Sequence, residues 1–299
     1  MRNIRDMSTI HIEVTNACHL RCANCTRHIG HHKKPFFMEL DFIEKAIDSL
    51  EGFPGRIGLM GGEPMLHPKI KDIIKMFSEK IDRRHRHIWT AGHKWEEFKD
   101  LIYENFDEDF ITYNDHTAPG KHQPLLVAID DVVENKELAK ELISNCWVQE
   151  QWSASITPKG GFFCEVAGSL DYLLDGPGGV KIEKGWWKKD LEEFESQIAK
   201  NCSRCSACIP LKGESDGFGG RTGPTVDTVS ESNLKILQDK SLKIKKGHYK
   251  VMSNKLSDQD IIKNSFSWTP SRYRDFISHS FEDSSAYRLL SPDQKIKSR

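Results

Sequence analysis

The stretch Thr9-Ile-His-Ile-Glu-Val14, running closely into Cys18-His-Leu-Arg-Cys22-Ala-Asn-Cys25, orders the reading of this chain. Residues 9 to 14 alternate apolar and polar side chains and are rich in β-branched residues, the pattern of a short strand. The cysteines therefore belong to a loop just past a strand. Downstream, Leu40, Ile43, Ile47 and Leu50 recur at helical spacing, and Gly52 and Pro54 end that helix before a second strand at Ile57 to Met60. The order is strand, cysteine loop, helix, strand.

The alternation continues. Ile70, Ile73, Ile74, Phe77 and Ile81 mark a helix face, His87 to Thr90 a third strand and Lys94 to Tyr103 a helix, with further strands at Phe110 to Tyr113 and Leu125 to Ile129. A helix from Asn135 carries Leu138, Leu142 and Ile143 and runs to Cys146. Repeated βα units predict an α/β fold with a parallel sheet, open or closed, and helices outside it; about five units fit before residue 147. Trp152 to Thr157 and Phe162 to Val166, around Pro-Lys-Gly-Gly, predict a hairpin. A Gly-rich loop from Asp175, the Trp186-Trp187 pair and a helix with Leu191, Phe194 and Ile198 then lead to Cys202. These patterns divide the chain into a βα repeat region (1–146), a small cysteine-rich α+β appendage (147–212) and a weakly patterned C-terminal extension (213–299).

With 299 residues, 37% of them hydrophobic and 29% charged, and a net charge of -1, the chain can bury a real core and is neither a disordered polyelectrolyte nor a basic nucleic-acid binder. The polar opening segment lacks the apolar core of a signal peptide, and no long apolar run predicts a membrane span. We read the chain as cytoplasmic. In a reducing cytosol eight cysteines point to metal binding or thiol chemistry rather than to disulfides.

Three thiolates spaced as Cys18, Cys22 and Cys25 can ligate three irons of a [4Fe-4S] cube and leave the fourth without a protein ligand. A zinc site would need a fourth ligand from His19, His28, His31 or His32. The strand, the C-x3-C-x2-C loop and the βα repeats together resemble the radical S-adenosylmethionine superfamily, and Gly61-Gly62-Glu63-Pro64, just after the second strand, resembles its second motif. The resemblance implies a partial (β/α)5-6 barrel whose open iron binds S-adenosylmethionine and splits it to a 5'-deoxyadenosyl radical. It further implies a flavodoxin or ferredoxin as electron donor and, with Gly61, Gly62, Glu63 and Pro64 at the methionine end, contacts from Asn24, Thr90 and Asn114 to the remainder. Asn24 departs from the family pattern, which often has an aromatic residue there.

Cys146, Cys164, Cys202 and Cys205 resemble the ligands of the twitch or SPASM appendage found in radical dehydrogenases acting on aminocyclitols, which holds an auxiliary [4Fe-4S] cluster. Two alternatives stay open: Cys208 in place of Cys146, as a truncated ferredoxin run, or a zinc ribbon. The expected activity is oxidation of a small polar substrate of the carbohydrate or aminocyclitol alcohol type. The alternatives are radical modification of a ribosomal peptide and a non-catalytic zinc-ribbon binding module. Asp115 and His116, after the fourth strand, are candidate substrate-facing or proton-accepting residues. His28, His31 and His32 read as solvent-facing loop histidines, Lys243 to Lys250 as a solvated face, and Trp147, Trp152, Trp186 and Trp187 as packing.

Overall fold

Strand β1 (Thr9–Thr15) sends Ile10, Ile12 and Val14, all fully buried, to one face, and His11 and Glu13 to the other. That division organises the fold of the computed structural model, which describes residues 1–114, 116 and 121–265. The apolar face shares one core with helix α1 (Leu40–Ser49), through Ile43 and Ile47. Strand β2 (Arg56–Gly61) and helix α2 (Ile70–Lys80) extend it with Ile57, Leu59, Ile73, Ile74 and Phe77. Burying each such side chain contributes about 1.5–3 kcal/mol. Strand β3 (Arg86–Thr90), helix α3 (Trp95–Asn105) and strand β4 (Ile111–Tyr113) complete the repeat.

The next elements are short: β5 (Lys121–His122), α4 (Ile129–Val132), α5 (Lys136–Ser144) and α6 (Trp147–Gln151). Strands β6 (Ser153–Thr157) and β7 (Gly160–Phe162) follow, then helices α7 (Glu165–Leu173) and α8 (Glu195–Cys202). The main sheet runs β4-β3-β2-β1-β6-β7, parallel except for the β6-β7 hairpin. It is an open α/β sheet. After Cys208 the chain forms β8 (Glu214–Ser215), β9 (Asp227–Ser230), α9 (Glu231–Leu237), α10 (Leu242–Lys245), β10 (Tyr249–Met252) and α11 (Asp258–Ser265). Among the described residues no helix is long and apolar enough to cross a membrane.

Three expectations change. Leu125 to Ile129 adds no strand to the main sheet: Leu126 makes a single bridge to Val229, and α4 begins at Ile129. A short, wholly apolar run is ambiguous by periodicity, and here the C-terminal extension covers it. Four parallel strands therefore precede residue 147, and the fifth, β6, lies beside β1 at Thr9↔Ser153, so the hairpin continues the sheet. Finally, the second hairpin strand stops at Phe162 rather than Val166, because α7 starts at Glu165.

Candidate active site

The cysteine loop leaves β1 through two side-chain clamps. Thr15 Oγ1 donates to the Phe36 carbonyl, and Asn16 Oδ1 accepts the Phe36 amide at 2.7 Å. Cys18, Cys22 and Cys25 then line one wall of an open cleft enclosing about 630 Å³, solvent at its mouth included. Facing them are the ends of the next strands and the residues just past them: Gly61 and Gly62 at the end of β2, Thr90 and Ala91 at the end of β3, and Asn114 and His116 after β4. Of the residues assigned from sequence, Cys18, Cys22, Cys25, Gly61, Gly62, Thr90, Asn114 and His116 thus meet in one place, while Asn24, Glu63 and Pro64 stand behind the cleft lining; Asp115 lies outside the described residues. Burial pushes the Cys18 thiol up to about 12 and Cys22 in the same direction. Unaided, these thiols stay neutral; a bound cationic metal centre would hold them as thiolates, so the donor set fits an iron–sulfur cluster.

Gly61 and Gly62 serve contact with the cysteine loop itself. A Cβ on Gly61 would stand 2.0 Å from the Thr15 carbonyl oxygen, and one on Gly62 would stand 2.3 Å from that of Ala17. The amides of Gly62 and Glu63 bond the same loop, Gly62 to Thr15 O at 2.8 Å and Glu63 to Ala17 O at 2.7 Å. Glu63 is fully buried: Oε1 accepts from Met65 N and, at 2.7 Å, from Thr90 Oγ1, while Oε2 accepts from Ala91 N at 2.6 Å. Burial pushes its carboxyl up to about 7 against these donors. Pro64 opens the 3-10 turn that Glu63 caps. The motif ties the ends of β1, β2 and β3 together.

Asn24 adopts a left-handed conformation (φ 50), which Asn tolerates better than most residues. Its Oδ1 accepts the Thr228 amide at 3.0 Å and its Nδ2 donates to Glu214 Oε2 at 3.1 Å. The side chain that the sequence assigned to S-adenosylmethionine is thus engaged by the C-terminal extension. Asp227 of that extension accepts from Asn24 N at 2.8 Å, from Lys243 Nζ at 2.7 Å and faces His31 Nε2 at 2.7 Å; Lys243 also donates to the Cys22 carbonyl at 3.0 Å. Burial alone would raise the Asp227 carboxyl, but His31 and Lys243 outweigh it and hold it down to about 2. His28, His31 and Lys243, read as surface residues, are buried. No short-range pattern betrays them, since His28 and His31 bond side chains more than a hundred residues away and Lys243 reaches Cys22 across a similar gap.

The sequence also held an unread signal. A parallel strand covered on both faces reads as continuous apolar residues, yet β1 carries His11 and Glu13. Their face is a buried polar layer. Arg27, on the cleft wall, pairs with Glu13 at 2.7 Å and with Glu165 at 3.0 Å, and His11 Nε2 lies 3.3 Å from Glu165. Trp89, also on the cleft wall, stacks on His87 at 3.5 Å and meets His11 edge-on at 4.1 Å. Arg27 follows Cys25 and Glu165 follows Cys164, so this ion pair links the loops that bear the two sets of cysteines.

The second set converges from helix ends. Cys146 precedes α6, Cys164 precedes α7, Cys202 closes α8, and Cys205 and Cys208 follow it. Cys164, Cys202, Cys205 and Cys208 each feel Cys146, and burial pushes all four thiols up, Cys164 to about 12. The Trp147 indole donates to the Ala207 carbonyl at 2.8 Å, closing the region. All eight cysteines are free thiols, and among the described residues no group of three or more His, Cys, Asp or Glu could hold a single metal ion.

Residues 12–149 match the sequence model of the Radical SAM superfamily. Over 75 residues the chain is 36% identical to the GTP 3',8-cyclase of Chlorobaculum tepidum, which covers 24% of this chain and 22% of the cyclase. Two solved structures of BtrN are similar: one in complex with AdoMet and 2-DOIA (17% identity, TM-score 0.44, 67% of this chain and 92% of that one) and one in an open conformation (18%, 0.45, 70% and 95%). With the three-cysteine loop at the end of β1, the chain carries a radical SAM superfamily domain over residues 12–149.

Proposed function

We propose that this chain cleaves S-adenosylmethionine reductively at a [4Fe-4S] cluster on Cys18, Cys22 and Cys25 and uses the product to oxidise a small polar substrate of the carbohydrate or aminocyclitol alcohol type. One observation carries the reading: the three thiols and the buried polar layer of β1 and β3 share a single cleft, through Arg27 and Trp89. The cluster, when bound, supplies the electron that splits the sulfonium. The protein's part is positional. Gly61, Gly62, Glu63 and Pro64 fix the methionine end of the cleft, and Thr90 and Asn114 border the rest, with Asn24 bracing the loop from behind. Trp89 offers an aromatic face and Arg27, held by Glu13 and Glu165, a fixed polar wall, suited to a hydroxylated ring rather than an apolar one.

Cys146, Cys164, Cys202 and Cys205 would hold an auxiliary cluster able to take the electron left on the substrate. Cys146 neighbours each of the other three, and Cys164 neighbours Cys202 and Cys205, which supports this set. A cytoplasmic flavodoxin or ferredoxin would reduce the first cluster. Anaerobically purified protein tests the reading: about eight irons per chain, matched by sulfide, and formation of 5'-deoxyadenosine on reduction with S-adenosylmethionine are expected. Zinc without sulfide rejects it in favour of a binding module.

A further inference from the structure

Cys22 has an uncommon neighbour for a thiol in a cluster-binding loop. Its sulfur lies 3.6 Å from His116 Nδ1 and 4.0 Å from Nε2. The same Nδ1 stands 2.9 Å from Asp216 Oδ2. A carboxylate oxygen at this distance is a far better acceptor than a sulfur at 3.6 Å, so the Nδ1 proton is directed at Asp216 and away from Cys22. Asp216 is itself fixed: it is fully buried, its Oδ1 accepts the Phe218 amide at 2.9 Å, and its carbonyl accepts the Ala23 amide at 2.9 Å. The turn that follows can come this close only because Gly219 (φ +67) has no side chain; a Cβ there would stand 2.9 Å from Leu20 and 3.3 Å from His116. The cation nearest Cys22 on the other side, Lys243, is balanced by Asp227 at 2.7 Å. Asp216 lies outside the residues that match the superfamily.

Hydrogen bonds to cluster sulfurs and nearby positive charge raise a cluster's reduction potential, and nearby negative charge lowers it. We propose that Asp216 is a positioning residue that draws the His116 N–H away from Cys22 and, by this and its own charge, keeps the cluster at Cys18, Cys22 and Cys25 a strong reductant. The proposal rests on the cluster assignment made under the proposed function. It gives His116 a task beside the cluster rather than as the substrate's base.

The experiment is an EPR redox titration of the full-length, cluster-loaded protein, following the signal that changes when S-adenosylmethionine is added, with iron and sulfide measured on each sample. Asp216→Asn is expected to raise the midpoint potential, since the N–H turns toward sulfur and a negative charge is lost. His116→Phe is expected to lower it, since the N–H that partly offsets the Asp216 charge is removed and that charge then acts on the cluster uncompensated. Opposite shifts at two touching residues are not what general loosening of the loop would produce. A potential in loaded Asp216→Asn equal to or below wild type overturns the proposal. Should that variant assemble no cluster, His116→Phe decides alone, and a value at or above wild type overturns it. A wild-type chain with no cluster at these cysteines overturns the underlying assignment as well; unchanged potentials in loaded variants overturn this inference only.

Discussion

The two cysteine regions are built by different means. Cys18, Cys22 and Cys25 lie in a loop without regular secondary structure, held by polar groups of the C-terminal extension: the Asp216 carbonyl and the Thr225 hydroxyl to its backbone, the Asp227 and Lys243 side chains around Cys22 and Asn24. Cys146, Cys164 and Cys205 belong to the apolar core, with Phe163, Trp147 and Trp186, and their backbone is set by helix ends. The first region keeps one wall open to a cleft; the second is closed by its own packing. A site that must admit a ligand cannot be stabilised by burying its mouth, so its rigidity comes from directed hydrogen bonds behind it.

The largest test of this contrast separates chemistry from electron storage. Cys22→Ala is expected to abolish 5'-deoxyadenosine formation under reducing conditions, whereas Cys164→Ala should retain it while losing the iron of the second region. Equal loss of cleavage in both would mean that the regions do not act separately. Iron content then sharpens the second region: Cys146→Ala should lose about four irons per chain and Cys208→Ala none. The reverse result assigns Cys208 as the ligand.

The first region was the more legible in sequence, because its three cysteines fall within eight residues and its strand, loop and Gly-Gly-Glu-Pro turn follow in order. Its support was not legible. Asp227 and Lys243 sit in a stretch without periodicity, and their meaning arises only when the extension folds back onto Asn24 and Cys22. Leu125 to Ile129 failed for the same reason, since the extension, not the sheet, supplies its neighbour. The hairpin was read from its turn, but its place beside β1 depends on long-range pairing that alternation does not specify. The polar face of β1 was visible in His11 and Glu13 and passed unread.

The extension's part can be broken directly. Asp227→Asn leaves Lys243 buried beside Cys22 without its counter-charge, and removing one partner of such a pair costs about 3–5 kcal/mol. Denaturant unfolding should show that loss, together with loss of iron from the first region at constant iron in the second. If both regions lose iron in parallel, the extension supports the whole fold and not the cysteine loop in particular.

The smallest expected effect distinguishes the regions by pH. Burial pushes the Cys164 thiol up to about 12, beyond any titration near neutrality, whereas it pushes Glu63, behind the first cleft, up to about 7. Between pH 4.5 and 7 folded Glu63 therefore binds a proton that the unfolded chain has already released. The contribution is fully present below the unfolded value and is lost as pH rises through 7, so stability should fall by about 3 kcal/mol across the window. Glu63→Gln removes the titrating group, and its stability should change less over the same range than that of the wild type. Measured by denaturant unfolding at pH 5 and pH 7, parallel slopes in the two proteins would mean that the four donors around Glu63, from Thr90, Ala91, Met65 and His93, keep it ionised despite its burial.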